Sequence, residues 1–366
     1  MQVLKLIARN ALRHKLRTGL TLVGMVVAVV AFGLLRTVVD AWYANSESAS
    51  ATRLVTRNAI SLVFPLPLSY KPKIRAIEGI KSLSYANWFG GIYKEPKNFF
   101  PQFAIDAATY FDMYPEFVLN EDEKRDFLRD RRGAVVGRKL ADTYGFRVGD
   151  SVTLKGTIFP GEWSFVVRAI YEGATKKTDQ SQFFFHWDYL NETIKKKVPR
   201  RADQIGVYVI EADNADDMAR IALAIDSQFK NSAAETLSES EKAFQLGFVA
   251  MTGAIVTAIR IVSYLVIFII MAVMANTMAM TARERMAEYA TLKALGFGPG
   301  YVASLIFGES ILIALAGGVA GVLVTLPVAA GFSKQMGTLF PVFEVSQTTI
   351  GLQLAAAFAV GLLAAS

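Results

Sequence analysis

The chain has no cysteine and only two histidines, His14 and His186, among its 366 residues. Without cysteine there is no disulfide framework, no thiol nucleophile and no cysteine metal site. His14 lies in a basic N-terminal stretch and His186 among aromatics in FFFHWDYL, with no companion ligands, so packing or a surface position is the ordinary role of each. No GxxxxGK(S/T), HExxH or GxSxG motif occurs. The chain therefore has no P-loop with which to hydrolyse ATP, and none of these hydrolase constellations. Glu121 and Asp122 stand in a charge-rich, solvated run, and no catalytic, cofactor-binding or metal-binding residue is expected.

What is abundant is apolar. Hydrophobic residues make up 53% of the chain and mean hydropathy is +0.33. They are gathered into blocks, which makes this an integral membrane protein. A bilayer core needs about 20 apolar helical residues. Gly19 to Leu35, Ile261 to Met280, Tyr301 to Phe332 and Thr348 to Ser366 come near that, and the last runs to the final residue, which leaves truncation open. A cleaved signal peptide ending near Ala49-Ser50-Ala51 is the alternative for the first block. Against it, Arg36 and Asp40 intervene and Trp42 and Tyr43 resemble interfacial anchors of a retained helix.

Lys5, Arg9, Arg13, Lys15 and Arg17 precede the first block with no acidic residue among them, which predicts a cytoplasmic N-terminus. Lys5, Arg9, Arg13 and Arg17 recur every four residues, the basic face of an amphipathic helix on the inner leaflet. The net charge of +7 is thus read as topogenic, with the lipid bilayer and not nucleic acid as the partner. The expected fold class is a membrane α-helical protein of four transmembrane helices, with an α+β extracytoplasmic domain inserted between spans one and two. Its expected parts are a cytoplasmic basic helix (1–17), span one (18–41), an extracytoplasmic domain of two subdomains (42–248), a stalk with span two (249–280), a cytoplasmic coupling segment (281–300), span three (301–332), a short outer loop (333–347) and span four (348–366). This places the chain in a bacterial cytoplasmic (inner) membrane.

In the outer region, runs such as Ala59 to Val63, Phe103 to Ile105, Val152 to Leu154, Phe165 to Tyr171 and Ile205 to Ile210 read as strands. After the last come Asp213, Asn214 and Asp216, then Met218, Ile221, Ala222, Ile225 and Phe229 at helical spacing. That predicts a strand leading into an amphipathic helix on a sheet. GAVVGRKLADTYGFRVGDSVTL (Gly133 to Leu154) reads as strand, helix from about Arg138 to Tyr144, glycine turn and strand; its glycines fit neither phosphate-binding fingerprint. Phe183, Phe184, Phe185 and Trp187 read as core, with a substrate or partner surface as the alternative.

Within the membrane, Glu309 is the costliest residue and must face protein. It is read either as a proton or substrate site or as a buried contact to another span. Gly317, Gly318 and Gly321 give span three a face for close helix packing. Between spans two and three, RERMAEYATLKALGFGPG (Arg283 to Gly300) predicts a helix from about Thr281 to Leu295, stopped by Gly296, Gly298 and Pro299.

This order of segments resembles the permeases of the MacB and FtsX superfamily of ABC transporters, over essentially the whole chain. ALRHKLRTGLTLVGM (Ala11 to Met25) is similar to the family's approach to span one, RERMAEYATLKALG (Arg283 to Gly296) to its coupling segment, and GESILIALAGGVAG (Gly308 to Gly321) to its third span. The Gly133 to Leu154 stretch with FVVRAIYEG looks like its extracytoplasmic core. Tyr289 and Ala290 depart from the family's usual aliphatic residue and glycine. The resemblance implies a permease, not an enzyme, that works as a homodimer with two copies of a separate ABC-type ATPase subunit, which holds the ATP and Mg, and with a periplasmic adaptor as a further partner. Arg283, Glu284, Arg285, Glu288 and Lys293 would contact the ATPase, while Met286, Ala290 and Leu295 would seat the segment. ATP-driven motion would then export or release a hydrophobic molecule, peptide or lipoprotein by mechanotransmission. The alternatives are an FtsX-like signalling subunit that regulates a cell-wall hydrolase, and a membrane-anchored enzyme or receptor without an ATPase.

Overall fold

The computed structural model describes residues 15–336, 340 and 342–363, so the basic positions Lys5, Arg9 and Arg13 lie outside the described residues. In chain order come helix α1 (Lys15–Ser48), strands β1 (Arg53–Asn58) and β2 (Leu66–Pro67), α2 (Lys71–Arg75), β3 (Ile80–Trp88), β4 (Gly91–Ile92), β5 (Gln102–Ile105), α3 (Tyr110–Met113), β6 (Phe117–Val118) and α4 (Glu121–Arg129). They are followed by β7 (Gly133–Gly137), α5 (Arg138–Tyr144), β8 (Ser151–Gly156), β9 (Gly161–Gly173), β10 (Phe183–His186), α6 (Trp187–Lys197), β11 (Gln204–Ile205), β12 (Val207–Ala212), α7 (Met218–Gln228) and β13 (Thr236–Ser240). Helices α8 (Glu241–Met251), α9 (Gly253–Glu284), α10 (Met286–Ala294), α11 (Pro299–Met336) and α12 (Gln347–Leu363) complete the described chain. Two units separate by contact: Met1–Trp42 with Thr252–Met336 and Phe343–Ser366, and Tyr43–Met251 with Gly337–Val342.

Among the described residues of the helical unit, three stretches are long and apolar enough to cross a membrane: Thr18–Ala44, Gly253–Thr277 and Pro299–Ser333. Helix α12 is shorter, at 17 residues, and equally apolar. The helices meet around Met25, Val29, Met274, Ile313, Ala314, Ala357 and Val360. Close approach depends on the small residues of α11. A Cβ on Gly317 would stand 2.7 Å from Met25 Cγ, one on Gly318 2.5 Å from Ala357 Cβ, and one on Gly321 2.7 Å from Val29 Cβ. Polar side chains add specific ties: Gln353 Nε2 donates to Val29 O at 2.8 Å and to Thr325 Oγ1 at 2.9 Å, and Ser310 Oγ to Gly361 O at 2.7 Å. In hydrocarbon such bonds replace water that is not there. Outward-facing Leu20, Val23 and Val27 of α1, and Ile261, Leu265 and Phe268 of α9, stay exposed and present the apolar surface that lipid solvates.

The other unit is built on an eleven-stranded sheet in the order β13-β1-β12-β3-β5-β10-β7-β9-β8-β4, with β6 on β9. Most pairs are antiparallel; β5 with β10 and β7 with β9 are parallel. The central strand β10 is buried on both faces, which explains its unbroken aromatic run. Phe183 and Phe185 pack into one core with Phe89, Phe100 and Phe165, and Phe184 into the other with Tyr110, Phe111 and Tyr171. The Gly133 to Leu154 stretch forms β7, α5 and β8 as its pattern predicts, with Gly145 at φ 72° in the left-handed conformation that ends α5. The Ile205 to Phe229 stretch likewise gives strand then helix, α7 burying Ile221 and Ile225.

One expected strand is misplaced. Ala59 to Val63 forms no strand; the strand is the preceding Arg53–Asn58, paired with β12 and β13. Ile60 and Val63 are 80% and 85% exposed. Polar side chains hid β1: Arg53, Thr56 and Asn58 are buried, Arg53 and Thr56 against the distant Glu116, Glu241 and Ser238, and Asn58 Oδ1 accepting from Ile60 N.

His186 is packed against Phe127, its ring centroid 4.3 Å away, with Nε2 2.7 Å from Phe127 O, so Nε2 carries the donated proton. Burial holds its pKa below the ordinary value, against the opposing pull of that hydrogen bond. Because the unfolded chain takes up a proton that the folded imidazole resists, stability is expected to fall as pH drops below about 6.5. His186→Gln should flatten this acid limb in thermal unfolding between pH 7.5 and 5; an unchanged slope would assign it to carboxylates.

Candidate functional site

The charged connection between α9 and α11 is not one continuous helix. Helix α9 ends at Glu284, Arg285 adopts φ −100° and ψ 11°, and α10 restarts at Met286. The break turns Arg285 inward. Its side chain is 6% exposed and its Nη1 lies 2.7 Å from Glu309 Oε2, itself on α11 and nearly as buried. Thus Glu309 faces protein, and one of its partners belongs to the connection. A carboxylate and a guanidinium, each costly to bury alone, neutralise one another here.

Helix α10 then closes with a double hydrogen-bonded turn. The N–H of Gly296 donates to Lys293 O and that of Phe297 to Leu292 O, both at 3.1 Å, with Gly296 at φ 90°. This is the Schellman arrangement, which a Cβ at position 296 would strain. Pro299 occupies the first position of α11, where its missing N–H costs nothing. Between these stops, Arg283, Glu284, Glu288 and Lys293 are exposed, and so are the apolar Met286, Leu295 and Phe297 at 66%, 71% and 41%. Ala290, also read as a seating residue, is exposed as well. Of the predicted coupling residues, then, five share an exposed segment and Arg285 does not.

Sequence reasoning missed two polar constellations. In the helical unit, Asp40 Oδ2 accepts from Thr349 Oγ1 at 2.9 Å and from Ser346 Oγ at 3.1 Å, while Oδ1 pairs with Arg36. In the sheet unit, Arg53 is held by two carboxylates: Nε donates to Glu241 Oε2 at 2.8 Å and the Nη atoms grip both oxygens of Glu116. Arg53 Nη1 also reaches Met113 O, and its guanidinium lies 4.2 Å from the Tyr114 ring centre. Ser50 N donates to the same Glu241 oxygen at 3.0 Å. Ser50, two residues past α1, and Glu241, the first residue of α8, are thereby joined directly. Arg53 directly ahead of the apolar Leu54 and Val55 was the available signal.

Among the described residues no cluster of His, Asp and Glu could hold a metal ion. The family model for the MacB-like periplasmic core domain matches residues 18–228, more than half of the chain, and that for the FtsX-like permease C-terminal region matches residues 260–366. The comparison with curated proteins yields no match. Among solved structures, the extracellular domain of the noncanonic ABC-type transporter YknZ from Gram-positive bacteria aligns at 10% identity and TM-score 0.37, covering 51% of this chain and 100% of its own. A domain of a protein described as a permease from Porphyromonas gingivalis aligns at 11% identity and TM-score 0.34, covering 52% of this chain and 89% of its own. With the two family matches falling in this order along one chain, the protein belongs to the MacB/FtsX superfamily of ABC-type permeases.

Proposed function

We propose that this chain is the permease subunit of an ABC transporter that draws on ATP and Mg bound by two copies of a separate ATPase, itself working as a homodimer in a bacterial inner membrane. Four spans, with α12 as the fourth, leave the N-terminus and the α10 segment in the cytoplasm and the sheet unit outside. Movement of α10 would pull on α11 through the Arg285–Glu309 pair, and the stalk ends of α1 and α9 would pass that motion outward. Cargo is a hydrophobic molecule, peptide or lipoprotein handled on the outer side, with an adaptor as a further partner.

The observation that carries this reading is the buried Arg285–Glu309 pair, because it ties an exposed, charged and apolar segment to the interior of a span. A segment so fastened moves its span when it is moved. Reversing the exposed charges together, Glu288→Lys with Lys293→Glu, is expected to leave folding intact and to cut permease-stimulated turnover of the co-purified ATPase at least tenfold. Unchanged stimulation would remove the segment from the coupling path. Vesicle transport or release assays separate export from hydrolase regulation, since a regulator moves no cargo.

A further inference from the structure

The sheet unit contains an open, mainly apolar cavity of ≈620 Å³, within the range of about 300–1,000 Å³ typical of small-molecule sites. Its wall is aromatic: Trp88, Phe103, Phe159, Trp187, and Phe244 and Phe248 from α8. Trp88 and Phe248 remain 41% and 48% exposed. The loop after β1 supplies a lip, in which Leu62 and Val63 line the cavity and Val63 points largely into solvent. A soluble domain rarely leaves so much contiguous apolar surface unoccupied without a use for it.

Asn87, Asn191, Arg201 and Gln204 interrupt that wall, and Asn87 and Arg201 keep capacity for a ligand. Asn87 is only 8% exposed, yet its Oδ1 has no hydrogen-bond partner among the described residues, and its Nδ2 reaches Gln204 O only at 3.5 Å. A buried acceptor without a donor is an unmet demand. Arg201 at the rim lies over Phe159 at 5.2 Å and donates to Ile158 O at 3.3 Å; no carboxylate pairs with it among the described residues.

We propose that this cavity binds a single-chain amphiphile whose apolar body lies among the rings, whose amide N–H or hydroxyl satisfies Asn87, and whose anionic group meets Arg201. A protein face or a second copy would cover the lip but could not reach so buried an acceptor, which favours a slender occupant. Phe244 and Phe248 belong to α8, so the site is built partly on that helix. The site goes beyond the permease reading and does not rest on it, since binding requires no ATPase.

The test titrates N-lauroylglycine into the full-length chain in lipid nanodiscs and follows tryptophan fluorescence, with empty nanodiscs and the methyl ester as controls. Saturable quenching at one probe per chain is expected, tighter for the acid than for the ester. Asn87→Leu should weaken binding about tenfold without lowering the unfolding temperature, because it removes an unfilled acceptor while costing the probe one hydrogen bond. Arg201→Gln, at an exposed position, should abolish the preference for acid over ester. Quenching that never saturates, or that is identical in both variants, overturns the proposal. So does efficient disulfide crosslinking of Val63→Cys chains to one another with no saturable quenching, which would make the lip a surface between copies.

Discussion

Glu309→Leu is expected to destabilise the helical unit by about 3–5 kcal/mol, since it strands the Arg285 guanidinium in a site only 6% exposed. Arg285→Met should do the same from the other side. The double variant, which removes both charges and fills the space with apolar side chains, is expected to recover most of the loss, because a buried pair contributes little beyond the cost of desolvating its members. Stability and coupling then come apart. The double variant should unfold near the wild-type temperature in nanodiscs and still show weakened ATPase stimulation, as the directed link between α10 and α11 is gone. A double variant that loses the sum of the two single losses would show that the charges act independently, and one with full coupling would show that packing alone transmits the motion.

Arg53→Met is expected to cost the sheet unit about 3–5 kcal/mol by leaving the Glu241 and Glu116 carboxylates without their shared cation. Glu241 suffers most, being only 4% exposed and keeping just the Ser50 N–H. The loss should be local as well as global. Residues 50–58 and 236–246 form the paired strands β1 and β13 with their flanking ends, so their amide hydrogen exchange should accelerate more than that of β7 or β10. Glu241→Gln, which can still accept from Ser50 N, should lose less. Uniform acceleration across the sheet would mean that Arg53 contributes to general core stability and not to fastening the two ends of the domain.

These constellations also mark the limit of what the sequence discloses. The apolar blocks, the strand-helix-strand of Gly133 to Leu154 and the β12–α7 unit were legible because their signals are periodic and local: a run of side chains and its stop residues lie within one turn or one strand of each other. Strand β1 was not. Its core-facing polar residues are tolerable only because Glu116 and Glu241 lie 63 and 188 positions away, and no local pattern announces such a partner. The burial of Arg285 was hidden for the same reason, since it stands in a charged run that reads as an exposed helix until Glu309 draws it inward.

Membrane class, order of segments, stop signals around Gly296 and Pro299, and the family were determined by the sequence alone, since hydropathy and backbone preference act residue by residue. Only the tertiary structure decided which charges of the Arg283 to Gly300 segment stay exposed and which one is buried in a pair. It also decided that aromatics from β3, β5, α6 and α8 converge on one cavity with an unsatisfied Asn87 in its wall. Burial and pairing belong to two distant positions at once, and such facts exist only when the chain is folded.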